Sequence, residues 1–162
     1  MMTETARIAH FSIDETGLPA PSPEAEQERN IAIFDLLDVN SFKLLPDEQG
    51  SAPDGPYTVI LAPRDRHLAF LVTAADDSET EIAIPFSAFR KRARSYFAIC
   101  ESYFEAVRRH SPDEITRLDE HRKAQHNEGA DALRERLADR VALDDHTARR
   151  LFTLVCSLSY RG

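Results

Sequence analysis

Hydrophobic and polar positions alternate along much of the first half of the chain. Ala9, Phe11 and Ile13 fall on one side of an extended Arg7–Asp14, with Ile8 and His10 on the other. Three further alternating runs follow: Tyr57, Val59 and Leu61; Leu68, Phe70 and Val72; Ile82 and Ile84. The segments 62–66 and 75–78 between them are short enough to be hairpin turns, so the spacing predicts an antiparallel meander. Phe42 to Leu45 reads as a short additional strand. From Pro85 onward the period changes. Phe89, Ala93, Phe97, Cys100, Phe104 and Val107 recur at three- and four-residue steps, which predicts one long amphipathic helix ending at His110. Ser87 is its expected N-cap, and Tyr96 and Tyr103 flank its apolar face.

Ser22-Pro23 opens an earlier helix, with Ser22 as cap and Pro23 at the first helical position. Its buried face is expected at Ile31, Phe34 and Leu37, and Asn40-Ser41 ends it. Residues 46–56 are rich in Pro, Gly, Asp and Ser and read as an exposed loop. After the long helix, Ser111 and Glu114 form a capping box for a helix running to about Gln125. His126-Asn127-Glu128-Gly129 then reads as a break or kink before a short helix through Ala130, Leu133 and Leu137. Val141-Ala142-Leu143 leads to Asp144-Asp145, a capping pair for the last helix. Leu151, Phe152, Leu154, Val155, Cys156 and Leu158 make that helix apolar almost all round, the mark of a central element.

Strands grouped first and helices grouped after them indicate an α+β fold. The expectation is an antiparallel sheet of about four or five strands packed against the long central helix and a C-terminal helical group, in a single domain spanning 1–162. Phe97 and Phe104 should then be covered.

The length of 162 residues suits one domain, burying roughly 70% of the surface its unfolded form exposes. Twenty-eight acidic residues against twenty basic ones leave a formal charge of −8, which argues against DNA and against anionic membranes. No apolar run approaches the roughly 20 residues a spanning helix needs, and Met1-Met2-Thr3-Glu4-Thr5 lacks the order of a secretory signal. Cys100 and Cys156 are the only cysteines, too few for a disulfide framework or a zinc site. The expectation is a reduced, cytoplasmic protein without metal or cofactor.

Four groups of residues carry candidate chemistry. His121, His126, Asn127 and Glu128 offer imidazoles and a carboxylate, but the histidines are five apart, one more than a pair sharing a helix face requires. A helix–helix corner is therefore the leading reading, and a polar binding site the second. Cys100 and Glu101, with Tyr103 and Glu105, lack a base that would activate the thiol, so Cys100 reads as core. Arg90, Lys91, Arg92 and Arg94 place positive charge near a helix start, where an anion or an RNA phosphate is held. Arg90 and Arg94 share a face that Arg92 does not, and a solvated face is the leading reading. Arg149-Arg150 open an otherwise apolar helix, so one of them should need a partner near the core boundary. Charge-assisted bonds from Arg149 or Arg150 to Glu128, or to backbone carbonyls of the predicted break, are expected.

Several of these segments also carry a resemblance. Tyr96-Phe97, Ile99-Cys100-Glu101-Ser102-Tyr103, His126-Asn127-Glu128-Gly129, Thr147-Ala148-Arg149-Arg150-Leu151-Phe152-Thr153-Leu154 and the stretch Glu28-Arg29-Asn30-Ile31-Ala32-Ile33-Phe34-Asp35 resemble the uncharacterised protein family 0262, found mainly in alphaproteobacteria. Members of that family end in Trp-Arg-Gly, where this chain has Tyr160-Arg161-Gly162. The resemblance implies a cytoplasmic single-domain protein and supplies no activity.

Without a phosphate loop, metal spacing or paired nucleophile in the sequence, the leading functional reading is a non-enzymatic binding or adaptor module with an unidentified protein or small-molecule partner. Its surplus of helical aromatics favours a homodimer. The alternative is a small enzyme or ligand-binding domain whose polar pocket joins His126, Asn127 and Glu128 to Arg149 or Arg150, with Glu101 as a carboxylate partner. A third reading, weaker given the acid excess, is an RNA-associated protein using Arg90, Lys91 and Arg94.

Overall fold

The fold is taken from a computed structural model that describes residues 4–159. The expectations for Met1-Met2-Thr3 and for the Tyr160-Arg161-Gly162 tail lie outside the described residues. Ten elements follow one another: β1 (Ile8–Ile13), α1 (Pro23–Asp38), β2 (Phe42–Leu44), β3 (Tyr57–Pro63), β4 (His67–Thr73), β5 (Glu79–Pro85), α2 (Ser87–Arg108), α3 (Pro112–Leu137), β6 (Val141–Leu143) and α4 (Asp145–Ser159). The class is α+β. Strands β3, β4 and β5 form the expected antiparallel meander, and Val59, Leu61, Leu68, Phe70, Val72, Ile82 and Ile84 are all buried.

The sheet is mixed rather than wholly antiparallel. Its order is β1-β3-β4-β5, and β1 joins β3 in parallel. A parallel neighbour needs a long crossover, and the segment containing α1 provides it. The β1–β3 register shifts between Ile8 and His10. Ile8 and Phe11 are therefore both buried, while His10 is exposed, so the strict alternation expected for this strand fails at an irregularity. Val141–Leu143 is itself a strand, pairing antiparallel with β2 in a separate two-stranded sheet.

Helix α1 buries Ala25, Arg29, Ala32 and Leu36, not Ile31 and Phe34, which are 53% and 73% exposed. The buried set follows the i, i+4, i+7, i+11 spacing, and Arg29 decides which stripe turns inward. Its Nε donates to Ser157 Oγ at 3.1 Å, its Nη2 to Ser157 O at 2.9 Å and its Nη1 to Glu15 Oε1 at 3.2 Å. The Ser22 cap forms, its Oγ accepting from Ala25 N at 3.1 Å. Asn40 ends the helix from a buried position, its Nδ2 donating to Leu36 O and to Ile8 O.

Helix α2 starts at Ser87 with Phe86 in the cap position, so Ser87 is not the cap. Ser111 makes no side-chain cap bond, and the carboxylate of Glu114, its expected box partner, pairs with Arg109 at 3.1 Å. Asp144 does cap α4, its Oδ1 accepting from Thr147 N at 2.8 Å. Phe89 and Ala93 are buried and Phe97 is half-buried, whereas Phe104 remains 54% exposed.

Helix α3 runs unbroken for 26 residues through His126-Asn127-Glu128-Gly129, so no break exists there. Gly129 is present for packing: a β-carbon on it would collide with the ring of Phe152. Helix α4 is central as expected. It packs against α1, α2 and α3, and Leu151, Phe152, Leu154, Val155 and Cys156 are buried in the same core as the inner face of the sheet.

Candidate functional site

With α4 as a shared floor, the other helices create three distinct environments. The first lies between α2, α3 and α4 around His126. Thr153 Oγ1 donates its one hydrogen to Arg149 O at 3.1 Å, so it accepts the 2.8 Å bond from His126 Nε2. That assigns the neutral tautomer with hydrogen on Nε2. The imidazole lies between the rings of Tyr96 and Phe152, at centroid distances of 5.2 and 5.4 Å. Burial pushes its pKa down to about 4, reinforced by the positive charges of Arg149, Arg150 and Arg122. Burial also raises the Cys100 thiol, opposed by a hydrogen bond from Tyr96 and by Arg122. The imidazole thus joins α3 to α4 through the Thr153 hydroxyl and stands against Tyr96 of α2.

The second environment is a groove of about 180 Å³ between α1 and α2. Ile31 and Asp35 stand on one side, Tyr96 and Phe97 on the other, and Arg150 and Thr153 are on its floor. Arg150 reaches Asp35 at 3.7 Å. Glu28 lies on the same side, its carboxyl pKa raised by burial.

The third is a larger cleft of about 880 Å³ beside the first half of α2, facing loop residues 16–19, Pro63 at the end of β3, Arg64 and Asp65 after it, and the end of α4. Arg90, Arg94, Phe97 and Glu101 line it from α2. Lys91 and Arg92 are exposed and outside it, so the four charges at the start of α2 do not make one strip for a nucleic-acid backbone.

The expected polar pocket therefore does not assemble. His126 is half-buried among rings, while Asn127 and Glu128 are exposed on the side of α3 away from it. Arg150 belongs to the small groove and Glu101 to the large cleft. Both Arg149 and Arg150 are half-buried at the core boundary, but among the described residues neither forms an ion pair with Glu128. A continuous helix turns Glu128 away from α4, and without a break no backbone carbonyls are released for Arg149. His121 is exposed, and among the described residues no group of three or more His, Cys, Asp or Glu side chains is placed to hold a metal ion. No helix there is long and apolar enough to cross a membrane. The exposed pair Ile31 and Phe34 escaped the periodicity because the competing stripe contains an arginine, which a hydrophobic count passes over.

Residues 5–161 match the family described as Uncharacterised protein family (UPF0262). A UPF0262 protein of Roseobacter denitrificans is 47% identical over 158 residues, covering 97% of this chain and 99% of that protein. A relative in Ruegeria pomeroyi is 44% identical over 158 residues, covering 97% and 98%. One in Paracoccus denitrificans is 45% identical over 159 residues, again covering 97% and 98%. No solved structure matches. Near-complete coverage of both partners in each comparison, together with the match over 5–161, makes this chain a member of the uncharacterised family UPF0262.

Proposed function

We propose that this protein is a non-catalytic adaptor whose α1 face receives an amphipathic, basic-flanked helix of a partner protein. The observation that carries the reading is the pair Ile31 and Phe34, one turn apart on α1 and 53% and 73% exposed. Adjacent large apolar side chains in water mark an interaction surface, and Ile31 of this pair borders a groove. The groove beside Ile31, at about 180 Å³, is smaller than the roughly 300 Å³ at which ligand pockets begin and suits one inserted side chain. Glu24, Glu26, Glu28, Asp35 and Asp38 make α1 acidic, which favours a partner with basic residues beside its apolar stripe. The low basicity of His126 and the raised thiol pKa of Cys100 support binding over catalysis. The net charge and the small number of cysteines support a cytoplasmic setting.

Self-association through α1 across a two-fold axis would set these acidic rows against each other, so a different protein is favoured over a second copy. The test places a photo-crosslinking residue at position 34, with position 116 on exposed α3 as control, in the native cell. The adaptor reading requires one protein species captured from 34 and not from 116, whose binding to the purified chain weakens at least about tenfold in Phe34→Asp without a change in melting. Capture of a second copy, with a dimer mass by light scattering, would replace it with the homodimer. No capture from position 34, or binding unaffected by Phe34→Asp, would overturn it.

A further inference from the structure

We propose that the large cleft beside α2 binds a small phosphorylated compound carrying a ring-shaped or apolar body. The cleft, about 880 Å³, lies within the usual range of ligand pockets. One helix face presents the required groups in order. Arg90, Arg94, Phe97 and Glu101 fall at steps of four, three and four, and all line the cleft. Among the described residues neither Arg90 nor Arg94 has an ion-pair partner, in contrast to the arginines that do. The Arg90 guanidinium lies 4.6 Å over the Phe86 ring, which orients it without using its N–H donors. Arg64 joins them across the cleft, anchored by Asp14 at 3.1 Å. In a chain of net charge −8, three guanidinium groups thus line one concavity, one of them, Arg90, in the first turn of α2.

Guanidinium forks match phosphate geometry, and three of them offer more donors than the two oxygens of a carboxylate can accept. A phosphate monoester has three terminal oxygens and close to two charges at neutral pH. Beyond the arginines, Phe97 and Leu158 supply apolar wall for the rest of the molecule. Glu101 stands seven residues past Arg94, about 10 Å along the helix. Its carboxylate accepts hydrogen bonds from hydroxyl or amino groups at the far end and rejects a second anion there. Asp65, also on the wall, limits the excess of positive charge on the Arg64 side.

Calorimetric titration of the full chain with phenyl phosphate, inorganic phosphate and benzoate tests the assignment. Phenyl phosphate should bind about tenfold or more tightly than either of the others. Arg94→Ala and Arg90→Ala, both at exposed positions, should each weaken it about tenfold with unchanged melting. Phe97→Ala should bring phenyl phosphate down toward inorganic phosphate. Lys91→Ala, outside the cleft, should bind as the parent chain does. The proposal is overturned if benzoate or inorganic phosphate matches phenyl phosphate, if Arg94→Ala leaves the affinity unchanged, or if Lys91→Ala weakens it equally.

Discussion

Gly129 and Phe152 compete for one volume: the phenyl ring of Phe152 lies where a β-carbon on Gly129 would stand. Phe152 is fully buried, so it cannot swing out to make room. Glycine inside a helix is unfavourable by roughly 1 kcal/mol relative to alanine, yet here it allows α3 and α4 to approach closely. Gly129→Ala is expected to destabilise the fold by about 1–3 kcal/mol despite the helix-propensity gain. In a double-mutant cycle with Phe152→Leu the penalty should shrink markedly. Urea midpoints check this, and additive effects of the two changes would show that the contact does not set the role of Gly129.

Asn40 ties α1 to the first strand. It is 1% exposed, accepts from Ile8 N at 2.7 Å, and donates to Ile8 O at 3.0 Å and Leu36 O at 2.8 Å. Asn40→Ala strands these buried backbone groups and should cost about 3 kcal/mol. Asn40→Asp should do no better, since a carboxylate cannot donate to two carbonyls. Thermal melts of both variants decide it, and a near-native Asn40→Asp would refute the donor assignment.

The folded-state pKa of His126, about 4, lies below the roughly 6.5 of an unfolded chain. Above pH 6.5 the imidazole is neutral in both states and its contribution is fully present. Between 6.5 and 4 the unfolded chain binds the proton and the folded one does not, so stability falls as pH drops through that window. Arg122 on α3 and Arg149 and Arg150 on α4 oppose protonation from the elements around the ring, and Tyr96 on α2 shields it. The raised carboxyl pKa of Glu28 acts in the opposite sense, so the histidine share is read by difference. Between pH 7.5 and 4.5 the parent chain should lose on the order of 2 kcal/mol more stability than His126→Gln. Equal losses in the two chains, measured by urea unfolding, would mean that His126 is not the responsible group.

Arg29 is the charge the core accepts. Only 7% exposed, it uses Nε and Nη2 together on Ser157 near the end of α4. Arg29→Met should lower stability by about 1–3 kcal/mol by leaving the Ser157 carbonyl unpaired. Arg29→Lys should not rescue it, because one ammonium cannot reproduce the fixed fork. Full recovery with lysine would reduce the interaction to charge alone.

Local patterns were legible wherever one face of an element meets the core and the other meets water. Tyr57, Val59 and Leu61 with their partners on β4 and β5 announced the meander, and Leu151 to Cys156 announced a central helix. The Ser22 and Asp144 caps were readable because a cap acts within three residues of itself. The candidate site was much less legible. His126, Glu128 and Arg150 are near in sequence or in motif, but side-chain direction within a continuous helix sends them to separate surroundings.

By itself, then, the sequence determined most of the helices and strands though not β6, the antiparallel meander, the buried last helix and the family, since each rests on short-range periodicity or direct likeness. Only the tertiary structure decided that Gly129 is a packing glycine rather than a helix break, because the ring that requires it lies 23 residues away on α4. It also decided that α1 turns Arg29 inward and leaves Ile31 and Phe34 in water. The physical reason is the same in both cases. A residue's burial depends on what the neighbouring element offers it, and an arginine satisfied at Ser157 across 128 residues of chain outweighs the hydrophobic pattern of its own helix.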